Sequence, residues 1–170
     1  MGLFDFFTGT KRPAAGTPVL SKQAVRDRLL ALNRPTAPWR VVDGAGDAVD
    51  LVAEWRLEEK AYENAFRQSG KAGVFRIFMK LDEATHEVRA VDRQYMVSWS
   101  VQGLKLSLAA SGFRGQKQSA SFGGPAHLTE QLPSGASIEY RFVTSEIKKP
   151  IQEAVTTSGW VYRGVAFGKL

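Results

Sequence analysis

Two histidines, His86 and His127, and no cysteine make up the chain's whole stock of imidazole and thiol. Disulfides, iron–sulfur clusters, thiol catalysis and structural zinc are therefore excluded within this chain. Acid–base catalysis needs titratable groups that converge in a pocket. The local candidate is Asp82-Glu83 with His86-Glu87. Polar residues gather in hairpin turns for conformational reasons alone, and the group is read that way. His127 follows Gly123-Gly124-Pro125-Ala126. With no partner spacing it reads as an exposed loop residue, although loops often carry function. Ser111-Gly112-Phe113-Arg114-Gly115 is not a nucleophile elbow. Gly44-Ala45-Gly46 lacks the third glycine and the following helix of a dinucleotide loop. Gly2 invites myristoylation, but that motif wants Ser or Thr at position 6, where Phe6 stands. No catalytic residue, metal ligand or cofactor is assigned.

The residue types that remain are those of binding. The chain has 170 residues and a net charge of +6. Residues 101–170 carry eight Lys/Arg against four Asp/Glu, while residues 51–100 are balanced at eight of each. A basic excess favours phosphate-rich partners, either anionic lipid or nucleic acid. Phe113, Arg114 and Lys117 lie in a polar, Gly-punctuated connection. Their donors suit phosphate or carboxylate. Lys148, Lys149 and Arg163 are expected to add charge from the last helix and strand. These six are the anionic-ligand candidates.

A second binding feature opens the chain. Leu3, Phe4, Phe6 and Phe7 crowd around Asp5, and Lys11 and Arg12 follow. In a short helix Leu3, Phe6 and Phe7 share one face at i, i+3 and i+4. Such a stripe docks on its own domain, enters a membrane interface or meets a partner. In the latter two cases Lys11 and Arg12 would meet anionic headgroups or acidic groups. Residues 8–18 are small, polar and broken by Pro and Gly, as in a flexible linker. The expected division is therefore an aromatic segment with its linker over 1–20 and one domain over 21–170.

The elements that must position these residues follow from periodicity. Ser21 caps a helix that runs to Leu32, with Asn33 and Pro35 ending it. Alternation with period two begins at Trp39 and gives a hairpin through Leu57. A helix over 58–69 buries Tyr62 and Phe66 and stops at Gly70. Residues 73–143 form a meander, and a phase slip at Val91-Asp92-Arg93 signals a β-bulge. Ser145 caps a last helix with Ile147, Ile151 and Val155 on one face, and a strand begins at Trp160.

The expected fold is α+β. It is a strongly curled antiparallel sheet or half-barrel of about six to eight strands, with about three helices packed against it. In layout it resembles compact lipid- or peptide-binding β-domains of the pleckstrin-homology kind. No apolar run approaches the ~20 residues of a spanning helix, and no secretory signal is evident. The expected location is the cytoplasm, with peripheral membrane association. The expected function is non-enzymatic: contact with a protein partner or an anionic membrane surface through the aromatic segment and a basic surface. The alternatives are a nucleic-acid-binding protein using the basic C-terminal third, and an enzyme with an unrecognised pocket. Oligomeric state is not readable.

Overall fold

The structure, a computed structural model, describes residues 2–108, 114–115, 128–166 and 170, with 114–115 described by backbone alone. Among the described residues four helices are formed: α1 (Leu3–Thr8), α2 (Lys22–Leu30), α3 (Lys60–Gln68) and α4 (Thr144–Thr156). The strands are β1 (Trp39–Asp43), β2 (Leu51–Trp55), β3 (Gly73–Asp82), β4 (Glu87–Ser100) and β5 (Gly103–Leu108), followed by β6 (Arg114–Gly115), β7 (Leu128–Gln131), β8 (Ser137–Tyr140) and β9 (Val161–Gly164). Strand and helix thus coexist as expected of an α+β chain, with α1 as the additional helix.

Local chemistry explains the helix ends. The Ser21 hydroxyl accepts the Ala24 N–H at 3.2 Å, as an N-cap should. Gly70, at φ 69°, follows α3 in the left-handed conformation that favours glycine. At α4 the cap differs from expectation. Val143 precedes the helix, and the Glu146 carboxylate reaches back to accept the N–H groups of Val143 (2.7 Å) and Arg141 (3.0 Å). Pro150 lies inside α4, where its missing N–H leaves one helical bond unmade.

One sheet contains seven strands, with β1-β2-β3-β4-β5 as its continuous path. β6 pairs antiparallel with β4 at Asp92–Arg93, and β9 pairs parallel with β4 at Glu87–Ala90. The fourteen-residue β4 therefore carries β3 along one edge and β9, β6 and β5 in turn along the other. β7 and β8 form a separate hairpin.

Two sequence expectations fail in this sheet. No bulge interrupts β3–β4: ten consecutive pairs run in one register from Gly73↔Met96 to Asp82↔Glu87. And the sheet is neither strongly curled nor closed. The two corrections are linked, because a bulge is a usual means of bending a strand. The phase slip has another cause. With an unbroken register, Val88, Ala90 and Asp92 share one face, and Val91, Tyr95, Val97 and Trp99 share the other. Val88 and Ala90 belong to the main core, and the next slot on their face holds Asp92, buried against Lys148 of α4. The apolar pattern changes face there, without an inserted residue.

The core lies between that sheet face and the helices. Val25 and Leu29 of α2, Ile147, Ile151 and Val155 of α4, and Trp39, Leu51, Ile77, Met79 and Val88 of the sheet join one buried cluster. Phe66 of α3 meets Phe142 edge-on at 5.4 Å, and Phe142 in turn meets Trp55 at 5.0 Å. A smaller cluster of Val52, Phe78 and Val91 covers part of the opposite sheet face.

Candidate functional site

Helix α1 is short, and its amphipathicity is inverted. Its polar residues Asp5 and Thr8 are buried, whereas Leu3, Phe4, Phe6 and Phe7 are 77, 76, 63 and 67% exposed. Burying polar side chains costs free energy unless they are hydrogen-bonded, and here they are. Arg12 grips Asp5 from Nε at 3.0 Å and Nη2 at 3.3 Å. The Thr8 and Thr10 hydroxyls meet at 2.7 Å. Gly9 ends the helix at φ 66°, and its carbonyl accepts from Gln152 Nε2 of α4 at 3.0 Å. The Arg12 guanidinium holds the Asp5 carboxyl below its ordinary range, chiefly through the hydrogen bond.

The segment after α1 is fastened as well. Lys11 and Tyr162 of β9 exchange two backbone hydrogen bonds, at 2.8 and 2.9 Å. Further on, the Leu20 N–H donates to the Ser158 carbonyl at 3.0 Å, and Trp160 Nε1 donates to the Leu20 carbonyl at 2.8 Å. Gly159, at φ 76°, sits so close beneath Pro18 that a Cβ would strike the Pro18 carbonyl. The stretch 8–18, read from composition as a flexible linker, and Leu20 just after it thus make repeated backbone contacts with β9 and the end of α4. The aromatic helix is mounted on the domain with its apolar side chains pointing away.

Several basic residues gather around this mount. Lys11 and Arg12 are exposed beside α1. Arg163 follows Tyr162 on β9, pairs with Glu87, and lies near enough to Asp5 for that carboxylate to help raise its pKa. Lys149 is exposed on α4, one turn before the Gln152 that holds Gly9. The fold therefore brings together Leu3, Phe4, Phe6, Phe7, Lys11, Arg12 and Arg163, which the sequence had placed at opposite ends of the chain.

Lys148 is corrected. It is 5% exposed, and its ammonium donates to Asp92 Oδ2 at 2.5 Å inside the protein, so it belongs to no surface patch. Phe113 and Lys117 lie outside the described residues, as does the Arg114 side chain; the Arg114 backbone pairs with Arg93. His127 also lies outside them. His86 is exposed in the β3–β4 turn at φ 50°, with its ring 5.6 Å from that of Trp160. Its carbonyl accepts the Val161 N–H at 2.9 Å and starts β9. Among the described residues, no three Asp, Glu or His side chains form a group able to hold a metal ion, and no helix is long and apolar enough to cross a membrane.

Sequence reasoning missed one polar centre altogether. Glu130 of β7 has a fully buried side chain that accepts from Arg34 Nε (2.7 Å) and Nη2 (2.9 Å), Thr36 Oγ1 (2.9 Å) and Tyr140 OH (2.6 Å). These donors, Arg34 first, pull the Glu130 carboxyl down to about 2. Burial, with the carboxylate beside it, pushes the Tyr140 phenol up to about 12. Every lone pair engaged here meets a protein donor, and the cluster ties the β7–β8 hairpin to the loop after α2. The chemistry available to it is structural.

Comparison with family models, curated proteins and solved structures gives no match. The likeness in layout to pleckstrin-homology domains thus gains no support, and geometry alone carries the functional reading.

Proposed function

We propose that the chain is a non-enzymatic binding module that docks on an anionic membrane surface, with α1 as the inserted element. The observation that carries this is the inverted helix: four large apolar side chains held outward by buried polar anchors. Covering a Phe or Leu side chain gains roughly 1.5–3 kcal/mol, so such a tip favours an apolar phase. One short apolar element alone gives weak, reversible membrane binding, and stable attachment needs a second signal. Lys11 and Lys149 supply it. Both are exposed and neither makes an ion pair among the described residues. Each basic residue near an anionic leaflet contributes about 1 kcal/mol. Exposed apolar side chains on α1 with exposed cations on the segments that hold it match acyl chains lying beneath charged headgroups.

Co-sedimentation with vesicles tests this. The full chain is expected on phosphatidylserine-containing vesicles, less on pure phosphatidylcholine, and less again at high salt. Replacing Phe4 and Phe7 together by Ser is expected to weaken binding at least tenfold, from the lost transfer free energy of two aromatic rings. Lys11→Glu is expected to weaken binding to the anionic vesicles alone. Equal, weak retention of the full chain and the double variant overturns the proposal. So does a chain that ignores vesicles while α1 engages a protein groove.

A further inference from the structure

The sheet face that carries the smaller cluster of Val52, Phe78 and Val91 also carries two rows of cations. Side chains two apart on a strand share a face, so the strand registers place these cations abreast. Arg76 of β3 stands opposite Arg93 of β4, Lys80 stands opposite Arg89, and Arg89 stands beside Arg163 of β9. The two rows lie about 13 Å apart along β4, with Phe78 and Val91 between them. Like charges directly opposite destabilise a strand pair. Counter-charge is scarce here. Glu54 serves both Arg40 at 2.8 Å and Arg76 at 2.9 Å, and Glu87 takes Arg163. Asp82 accepts the Ala84 N–H of its own turn at 3.0 Å. Lys80, Arg89 and Arg93 make no ion pair among the described residues. None of the chain's 17 Asp and Glu lies outside those residues, so the sequence holds no further carboxylate side chain to neutralise them. The cations are reachable: Lys80 is exposed, and Arg40, Arg76 and Arg163 expose 39, 26 and 37% of their side chains. Two are also fixed in place. Arg93 lies over the Phe78 ring at 4.2 Å and Arg76 over the Tyr95 ring at 4.9 Å, and the two rings stack at 6.5 Å.

We propose that this face binds single-stranded nucleic acid, with the phosphates lying along the cation rows. Charge and shape together select that occupant. A bilayer presents a plane of charge above acyl chains and rewards projecting apolar groups. On this face Val52, Phe78 and Val91 are at most 4% exposed, so nothing apolar projects from between the rows. A linear polyanion fits rows that are one residue wide. Guanidinium forks take phosphate oxygens in pairs, and guanidinium planes stack on unpaired bases. An acidic peptide offers carboxylates without those π-faces, and a duplex keeps its bases inside. The bound strand turns opposed cations into cation–phosphate contacts and releases its counterions.

Fluorescence anisotropy of a labelled oligouridylate with the full chain tests the proposal, and Lys80→Gln combined with Arg89→Gln is the variant. Neither side chain has an ion pair to lose among the described residues, and their removal relieves like-charge opposition. The melting temperature of the variant is therefore expected to match or exceed the parent's. The parent is expected to bind at about 50 mM salt, with a log–log salt slope of about −2 from three phosphate contacts. The variant is expected to bind about tenfold more weakly, with a slope shallower by about 1.4. The double variant of Phe4 and Phe7 to Ser is expected to bind the oligouridylate as the parent does, which separates this face from α1. No binding at low salt overturns the proposal. So does binding that the Lys80 and Arg89 variant leaves unchanged, or competition by polyglutamate as strong as that by unlabelled oligouridylate. A variant that loses anionic vesicles while keeping the oligonucleotide overturns it too.

Discussion

At the scale of single residues, the buried charges were the hardest to foresee. Glu130 sits between Thr129 and Gln131 in a polar stretch and looks like any surface carboxylate. Its partners Arg34, Thr36 and Tyr140 come from other parts of the chain, and no local spacing announces them. Lys148 was misplaced for the same reason, since only tertiary structure sets Asp92 beside it. A carboxyl held at about 2 in the fold, against an ordinary 4.5, is deprotonated more readily folded than unfolded. Its contribution to stability is therefore present above about 4.5 and is lost as the pH falls toward about 2. Urea unfolding followed by circular dichroism is expected to show that decline. Arg34→Met, which leaves the carboxylate buried with fewer donors, is expected to cost about 2–4 kcal/mol at pH 7. It is also expected to flatten the acid limb. Unchanged stability in that variant would contradict the role given to the cluster.

At the scale of elements, the sequence was readable wherever the signal is local. Ser21 as a cap, Gly70 after α3, the strand beginning at Trp39 and the apolar face of Ile147, Ile151 and Val155 were all legible, because each depends on neighbours within a few positions. Asn33 was read as a helix cap, yet α2 ends at Leu30 and the amide guards β1. Asn33→Ala is expected to lower stability by about 1–2 kcal/mol in chemical denaturation, since it leaves a backbone donor and acceptor without their partner. Helix α1 was legible as an apolar stripe, but its direction was not. Asp5 and Thr8 decide that by anchoring inward, and their partners lie beyond the helix. Because Asp5 is held below its ordinary 3.8, the Asp5–Arg12 anchor is present above that value and loosens as the pH drops through the folded value. Hydrogen exchange is expected to quicken over residues 3–8 in Asp5→Ala, with the melting temperature of the domain unchanged. Gly159→Ala is expected to do the opposite. A side chain at φ 76° against Pro18 is expected to cost about 1–3 kcal/mol and to lower the global melting temperature in calorimetry.

At the scale of the whole molecule, composition pointed to one basic, cysteine-free folded chain, and periodicity supplied most of the strands and, through their order, the α+β class. It did not supply the open sheet or the parallel placing of β9 on β4. Both depend on which edge of a long strand each later segment takes, and edge choice leaves no trace in alternation. Nor did charge counting locate the basic residues. Lys11 lies against β9, and Lys149 one turn from the Gln152 that holds Gly9, only because β9 and α4 receive the N-terminal segment. The mounted, outward-facing α1 is the feature from which the functional proposal grows. Its most direct test is a depth measurement: Phe4→Trp in the full chain, with vesicles of phosphatidylserine and brominated phosphatidylcholine. The account predicts that tryptophan emission is quenched more in this variant than in the parent chain, whose four tryptophans lie in the domain. Equal quenching in the two proteins, with both bound to the vesicles, would contradict insertion of α1.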